Sequence, residues 1–331
     1  MTNHKEIFAE SRVIDGLDTS VWGSENVYRT LRDGGVTAVN ATIAIWDDYE
    51  STLKTITQYL KWFDEFKELI RPVKTVDDIL SAKLENRTGI IFGWQNAAPI
   101  GNDLSRLRLF HELGVRIIQI TYNERNLLGN GCYERVDDGL SRFGLAAVKE
   151  MNRLGILMDL SHVGDRTTMD TIENSDGPVA ITHANARSQI DHPRNKTDEA
   201  IRLLAERGGV IGANAFPMFF ERGFDTDLEE YLDAIDYLVQ MVGPDHVGIG
   251  TDFCMEQPRS FFEWLFMSQG KIPATDIPYT PEPYQHLRGF EDPSDWVKVA
   301  EGLLNRNYSA SDTKKVLGEN WLRLFAQVWS K

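Results

Sequence analysis

The sequence predicts an α/β fold organised as a single (β/α)8 TIM barrel, and three observations lead there. Short aliphatic runs alternate with amphipathic segments from one end of the chain to the other. Two of those runs end directly in a histidine, in DLSH (159–162) and ITH (181–183), about one strand–helix unit apart. At 331 residues the chain has the length of one large barrel with insertions.

The runs that read as strands cover residues 13–14, 36–45, 89–94, 115–121, 156–160, 179–182, 209–214 and 247–250. Helical spacing of apolar residues fills the intervals 51–67, 103–113 and 144–154, the last with Ala147, Val148, Met151 and Leu154 on one stripe. Ser141 and Asp198 stand where starting caps belong. Eight such units in series predict a parallel barrel, and the absence of linkers and low-complexity tracts predicts one domain over residues 1–331. Residues 256–295 break the rhythm with six prolines and the aromatics Phe261, Phe262, Trp264, Phe266, Tyr279 and Tyr284. A loop of that length is expected to cover the barrel mouth and to favour a partly apolar substrate.

A net charge of −15 argues against a nucleic-acid surface, which needs clustered Lys and Arg. No Gly-rich phosphate loop or basic amphipathic helix is present, so no nucleotide or membrane partner is expected. No run of 18 apolar residues appears and the first dozen residues hold no apolar run, which predicts a cytoplasmic protein. The two cysteines, Cys132 and Cys254, make no disulfide framework; Cys254, two residues after Asp252, is placed to line the mouth.

The chemistry concentrates at strand ends. His162 and His183 would both project from the carboxyl face, where barrels keep their catalytic groups. Asp252, at the end of HVGIGTDF, would come from a later strand to the same face. Two neutral imidazoles with a carboxylate suit a zinc ion. His4, His111, His246 and His286 lack that setting and read as structural or surface residues.

These strings resemble the renal or membrane dipeptidase family, peptidase family M19. The likeness is strongest over residues 114–254 and includes GLSRFGLAAVKEMNRLGILMDLSHV, ITHANAR followed by HPRN, and GIGTDF. It continues through GFED (289–292) to ENWLRLF (319–325). The resemblance implies a homodimeric metallohydrolase with two zinc ions bridged by a glutamate and a water. His162 and His183 match ligands of one ion and Asp252 a ligand of the other, while Arg194 matches the arginine that holds the substrate's carboxylate.

Four positions depart from that pattern. Where the family has DGHxD this chain reads Asp15-Gly16-Leu17-Asp18-Thr19, so Leu17 and Thr19 replace two metal ligands. Gln95 replaces the bridging glutamate, and Tyr122 stands where a histidine assists the intermediate. One carboxylate cannot balance two buried divalent cations. The expectation is therefore one zinc ion held by His162, His183 and either Asp252 or Gln95, with Asp15 or Asp18 as a less favoured replacement. Asp252 would serve as base and then acid, Tyr122 as a hydrogen-bond donor, and Arg194 as anchor for a small substrate bearing a carboxylate. The substrate would be a dipeptide, a small amide or a modified amino acid. A metal-free isomerase or lyase and a non-catalytic binding protein are the alternatives.

Overall fold

The protein is described by a computed structural model over residues 4–273 and 280–329. Among these residues, nine parallel strands form one sheet: β1 (Val13–Asp18), β2 (Val36–Ala44), β3 (Ile70–Val73), β4 (Thr88–Trp94), β5 (Val115–Gln119), β6 (Leu157–Asp159), β7 (Ala180–Ile181), β8 (Val210–Asn214) and β9 (Val247–Gly250). Eight run around a ring in the order β1-β2-β4-β5-β6-β7-β8-β9. The ring closes just beyond β9, where Asp18 and Phe253 make a parallel bridge. Across the same seam the Thr19 amide donates to Phe253 O (2.8 Å) and the Asp252 amide to Leu17 O (2.9 Å). This is the (β/α)8 barrel the alternation predicts.

β3 is the element the hydrophobic pattern did not announce. It lies beside residues 88–91 of β4, outside the ring, and its central Arg71-Pro72 interrupts the apolar run. Proline removes a ladder donor and so belongs on an edge.

The helices begin where capping chemistry allows. Asp48 and Ser51 cap each other reciprocally at the start of Tyr49–Glu65, and Ser141 accepts from Gly144 N at the start of Arg142–Leu154. At Asp198–Glu206 the cap is Thr197 and not Asp198, which sits in the first turn where an acid complements the helix dipole.

Below the strands, Trp321, Leu324 and Phe325 of the helix Asn320–Trp329 pack on Ile14, Ala38, Ile117, Leu157 and Val210. Trp321 Nε1 donates to Ile249 O at 3.1 Å, so the amino-terminal end of the barrel is plugged. Higher in the barrel, Gly212 and Gly250 have a specific purpose. A Cβ on either would fall 2.0 or 1.9 Å from Thr182 O, so only glycine lets β8 and β9 approach the segment that carries His183.

The long excursion contributes a helix, Arg259–Leu265, whose end is held by Trp46 Nε1 donating to Leu265 O (3.3 Å). Glu124 accepts from Ser268 Oγ and the Gln269 amide, both at 3.1 Å. Among the described residues, no helix is long and apolar enough to cross a membrane.

Candidate active site

A cavity opens at the carboxyl ends of the strands, and Gln95, Tyr122, His162 and Asp252 all line it. His183 lies directly behind His162, fully buried. The two imidazoles face one another, with 3.1 Å between their Nε2 atoms.

The hydrogen-bond network assigns their tautomers. His162 Nδ1 lies 2.7 Å from Asn123 Oδ1, an acceptor, so Nδ1 carries the proton. For His183 the assignment runs through a relay. Thr182 Oγ1 gives its single proton to Asp159 Oδ2 (2.7 Å) and so accepts at 2.7 Å from His183 Nδ1. Both Nε2 atoms are therefore bare. Burial, with the nearby Arg194 cation second, pushes both imidazole pKa values well below the ordinary range and keeps them neutral.

Asp252 sits on a left-handed backbone (φ 57°), a conformation that aspartate tolerates better than most residues. Burial raises its carboxyl to about 6, opposed by Arg194 and by a hydrogen bond from Asn214. Tyr122 stacks on His162 with ring centroids 4.2 Å apart, and burial holds its phenol protonated. Gln95 donates through Nε2 to Thr42 Oγ1 (3.1 Å), which leaves its amide oxygen as the end free for a ligand.

Asp15 and Asp18 do not reach the pair as replacement ligands. Asp15 accepts from Thr251 N (2.8 Å), Thr251 Oγ1 (2.5 Å) and Leu17 N (3.2 Å), which makes it a closure residue between β1 and the end of β9. Asp18 Oδ1 accepts from Ser20 N at 2.6 Å while its Oδ2 is buried without a partner. Leu17 is core, and Thr19 Oγ1 is bonded to Phe253 O (3.0 Å) and lies 2.9 Å from Cys254 Sγ. Cys254 lines the cavity as expected, as a thiol that burial keeps protonated.

Two expectations change. Arg194 does not line the cavity: it is fully buried, its Nη1 donating to Ser161 O (2.6 Å) and its Nη2 to His183 O (2.7 Å). Of the aromatics in 256–295, Phe266 lines the cavity, while Phe262 and Tyr284 stack on each other 4.4 Å apart to one side. Tyr279 lies outside the described residues. Much of the apolar lining comes instead from Phe216, Met218 and Phe219, which follow β8.

Sequence reading missed Asn123, Thr182 and Asp159 as the groups that orient the histidines. Asp159 receives four hydrogen bonds, from Ser161 N and Oγ and from Thr182 N and Oγ1. The available signal was the hydroxyl that follows each strand, Ser161 before one histidine and Thr182 before the other.

Residues 5–262 match the membrane dipeptidase family, peptidase family M19. The chain belongs to that family. An amidohydrolase from Pseudomonas aeruginosa superposes with a TM-score of 0.95 at 38% identity, covering 99% of this chain and 100% of that one. Dipeptidase tcpJ from Claviceps purpurea is 25% identical over 84% of this chain and 60% of its own length. An uncharacterized dipeptidase from Schizosaccharomyces pombe is 30% identical over 63% of this chain and 54% of its own length. This M19 chain thus spans little more than half the length of those two curated relatives.

The residues present do not fit a dinuclear centre, because Leu17, Thr19 and Gln95 supply none of the anionic or imidazole donors a second ion needs. Among the described residues, no three His, Cys, Asp or Glu side chains gather into a metal-holding group. A single ion fits the imidazole pair. Two nitrogens bound tetrahedrally to one zinc ion sit roughly 3.3 Å apart, given Zn–N distances of about 2.0–2.1 Å. Both bare Nε2 atoms already face each other near that spacing, and both Nδ1 atoms are held by second partners, as metal-binding histidines require.

Proposed function

We propose that this chain hydrolyses the amide bond of a small substrate, a dipeptide or a modified amino acid, with one zinc ion held by His162 and His183. The observation that carries the reading is the pair of Nε2 atoms 3.1 Å apart, with His162 lining a cavity that Asp252 also lines. An ion bound there supplies a Lewis acid that polarises a carbonyl and acidifies a water.

The chain's own groups do the rest. Asp252, with a carboxyl raised to about 6, is ionised at neutral pH yet basic enough to take a proton from the attacking water. It then returns that proton to the nitrogen of the leaving amine. Tyr122 keeps its hydroxyl proton and donates toward the developing oxyanion. Phe216, Phe219 and Phe266 exclude water and accept an apolar side chain. The amidohydrolase and dipeptidase relatives support the same reaction class. A homodimer, taken from the family resemblance, completes the proposal, and light scattering reads it directly.

The test is metal content by mass spectrometry on untagged protein, followed by a screen of dipeptides and amino-acid amides. About one zinc per chain, lost in His162→Ala and His183→Ala, with hydrolysis that follows the metal, is the expected result. Protein that takes up no zinc on incubation and hydrolyses nothing would overturn the reading and favour metal-free proton transfer.

A further inference from the structure

We infer that Glu124 is a positioning residue that latches a strap at the cavity mouth, and that this strap sets the preference for an apolar side chain on the substrate. The strap is residues 265–272, which continue from the helix Arg259–Leu265 and bring Leu265 and Phe266 to the cavity wall. Its far end turns tightly. The Lys271 amide donates to Ser268 O at 3.0 Å, with Gln269 (φ 50°) and Gly270 (φ 66°) both on left-handed backbone. Beyond the turn Ser268 and Ile272 exchange hydrogen bonds of 2.8 and 3.0 Å.

That turn lands on one oxygen. Glu124 Oε2 accepts from Ser268 Oγ (3.1 Å), the Gln269 amide (3.1 Å) and Gln269 Nε2 (2.9 Å). Gln269 Nε2 also reaches Arg125 O at 3.2 Å. At the near end Trp46 Nε1 donates to Leu265 O (3.3 Å). The turn rests on the same tryptophan, since a Cβ on Gly270 would stand 2.4 Å from Trp46 Cβ.

Both anchors lead back to the reaction centre. Glu124 follows Tyr122 by two residues, and Trp46 meets the Tyr122 ring edge-on with 5.0 Å between centroids. Among the described residues, Glu124, Arg125 and Trp46 are the strap's hydrogen-bonded partners outside itself and the helix that leads into it. Leu265 and Phe266 are therefore held against the cavity from the two ends of the strap. A carboxylate that receives three donors is the stronger hold, because charge-assisted bonds are roughly twice as strong as neutral ones.

The effect on substrate choice rests on the proposed hydrolysis; the hold on the strap does not. The experiment compares Glu124→Ala, Glu124→Gln and Gly270→Ala with the parent, each confirmed as folded by its melting curve. Hydrogen exchange at the amides of 268–272 should speed up at least about tenfold in E124A and G270A, with the rest of the chain unchanged. In E124Q the amide oxygen can take the place of Oε2, so exchange should return to within about threefold of the parent. With zinc-loaded enzyme, kcat/KM for leucyl-glycine should fall about tenfold in E124A and G270A through KM, while glycyl-glycine is turned over as by the parent. E124Q should recover most of the preference. Parental exchange over 268–272 in E124A overturns the latch. Faster exchange with an unchanged preference, or an equal loss of kcat for both dipeptides, overturns the strap's part in selecting the substrate. If the parent hydrolyses neither dipeptide, the hydrolase reading fails by itself, and the exchange result alone decides whether Glu124 holds the strap.

Discussion

Replacing Asp159 by Asn should weaken zinc binding without touching a single atom that contacts the ion. Asp159 Oδ1 accepts from two backbone amides and Ser161 Oγ, so the oxygen of an asparagine must stay on that side. Its NH2 then faces Thr182 Oγ1, the position from which Asp159 Oδ2 now accepts at 2.7 Å. The threonine proton is turned away, and the strong acceptor within reach is His183 Nδ1 at 2.7 Å. His183 is thereby driven to the tautomer with its proton on Nε2, facing His162. Binding a metal would require breaking that arrangement, leaving one buried donor unsatisfied at a cost of about 1–3 kcal/mol. At about 1.4 kcal/mol per decade, affinity falls by roughly 5- to 150-fold. The fold should notice little, because the charge removed is one that burial already disfavours. With an unfolding entropy of about 2.1 cal/mol/K per residue, a change of 1–1.5 kcal/mol moves the melting point of a chain of this size by only about 2 °C. Competition against a chromophoric zinc chelator measures the affinity, and histidine side-chain 15N spectra report the tautomer with or without metal. Zinc affinity within twofold of the parent, or an unchanged His183 tautomer, would refute the relay.

Three further outcomes follow from the same geometry. Asp252→Asn should lower turnover by about 10²- to 10⁴-fold, and because the parent needs the ionised carboxylate its rate should rise with pH and level off above about 6; a profile without that limb would deny Asp252 the role of base. Burial pushes the Asp18 carboxyl up to about 7, so the folded state holds that proton more tightly than the unfolded chain, and stability is lost as pH rises from about 4 through 7. Asp18→Asn should therefore be more stable than the parent at pH 8, by up to about 4 kcal/mol, and no more stable at pH 3.5, as urea melts at the two pH values will read. Gly250→Ala places a Cβ 1.9 Å from Thr182 O and should cost several kcal/mol, about the upper end for overpacking, with loss of soluble protein or a melting point lower by several degrees.

His162, His183 and Asp252 were legible because a histidine or aspartate that ends an aliphatic run has one place to go in a barrel, its carboxyl face. The closing seam was less so: Asp15 read as a possible ligand, yet its role is fixed by Thr251, 236 positions away in sequence. The burial of Arg194 was not legible for a physical reason. Its partners are backbone carbonyls, which every residue owns, so no side-chain pattern can announce them. Asn123 and Thr182 were silent for a related cause, since their function lies in the direction of a hydrogen bond, and direction depends on what the neighbouring strand presents. β3 failed the apolar test because Arg71 and Pro72 are tolerated only where one edge of a strand is free.

The seam between the first strand and the last has a consequence in time as well as in space. Asp15 waits for Thr251, Thr19 for Phe253, and Ile249 for the indole of Trp321. A ribosome delivers these partners hundreds of residues after the first strand, so the nascent chain carries β1 with its buried carboxylates unpaired for most of synthesis. Contacts of such separation fold slowly, because the whole intervening loop must be ordered before they return any stabilisation. Of the proposed site, both histidines are translated well before Asp252, and the cavity that His162 and Asp252 line exists only once the ring has shut. Fragments that end before Trp321 should therefore emerge as sticky, chaperone-dependent intermediates and not as partial enzymes.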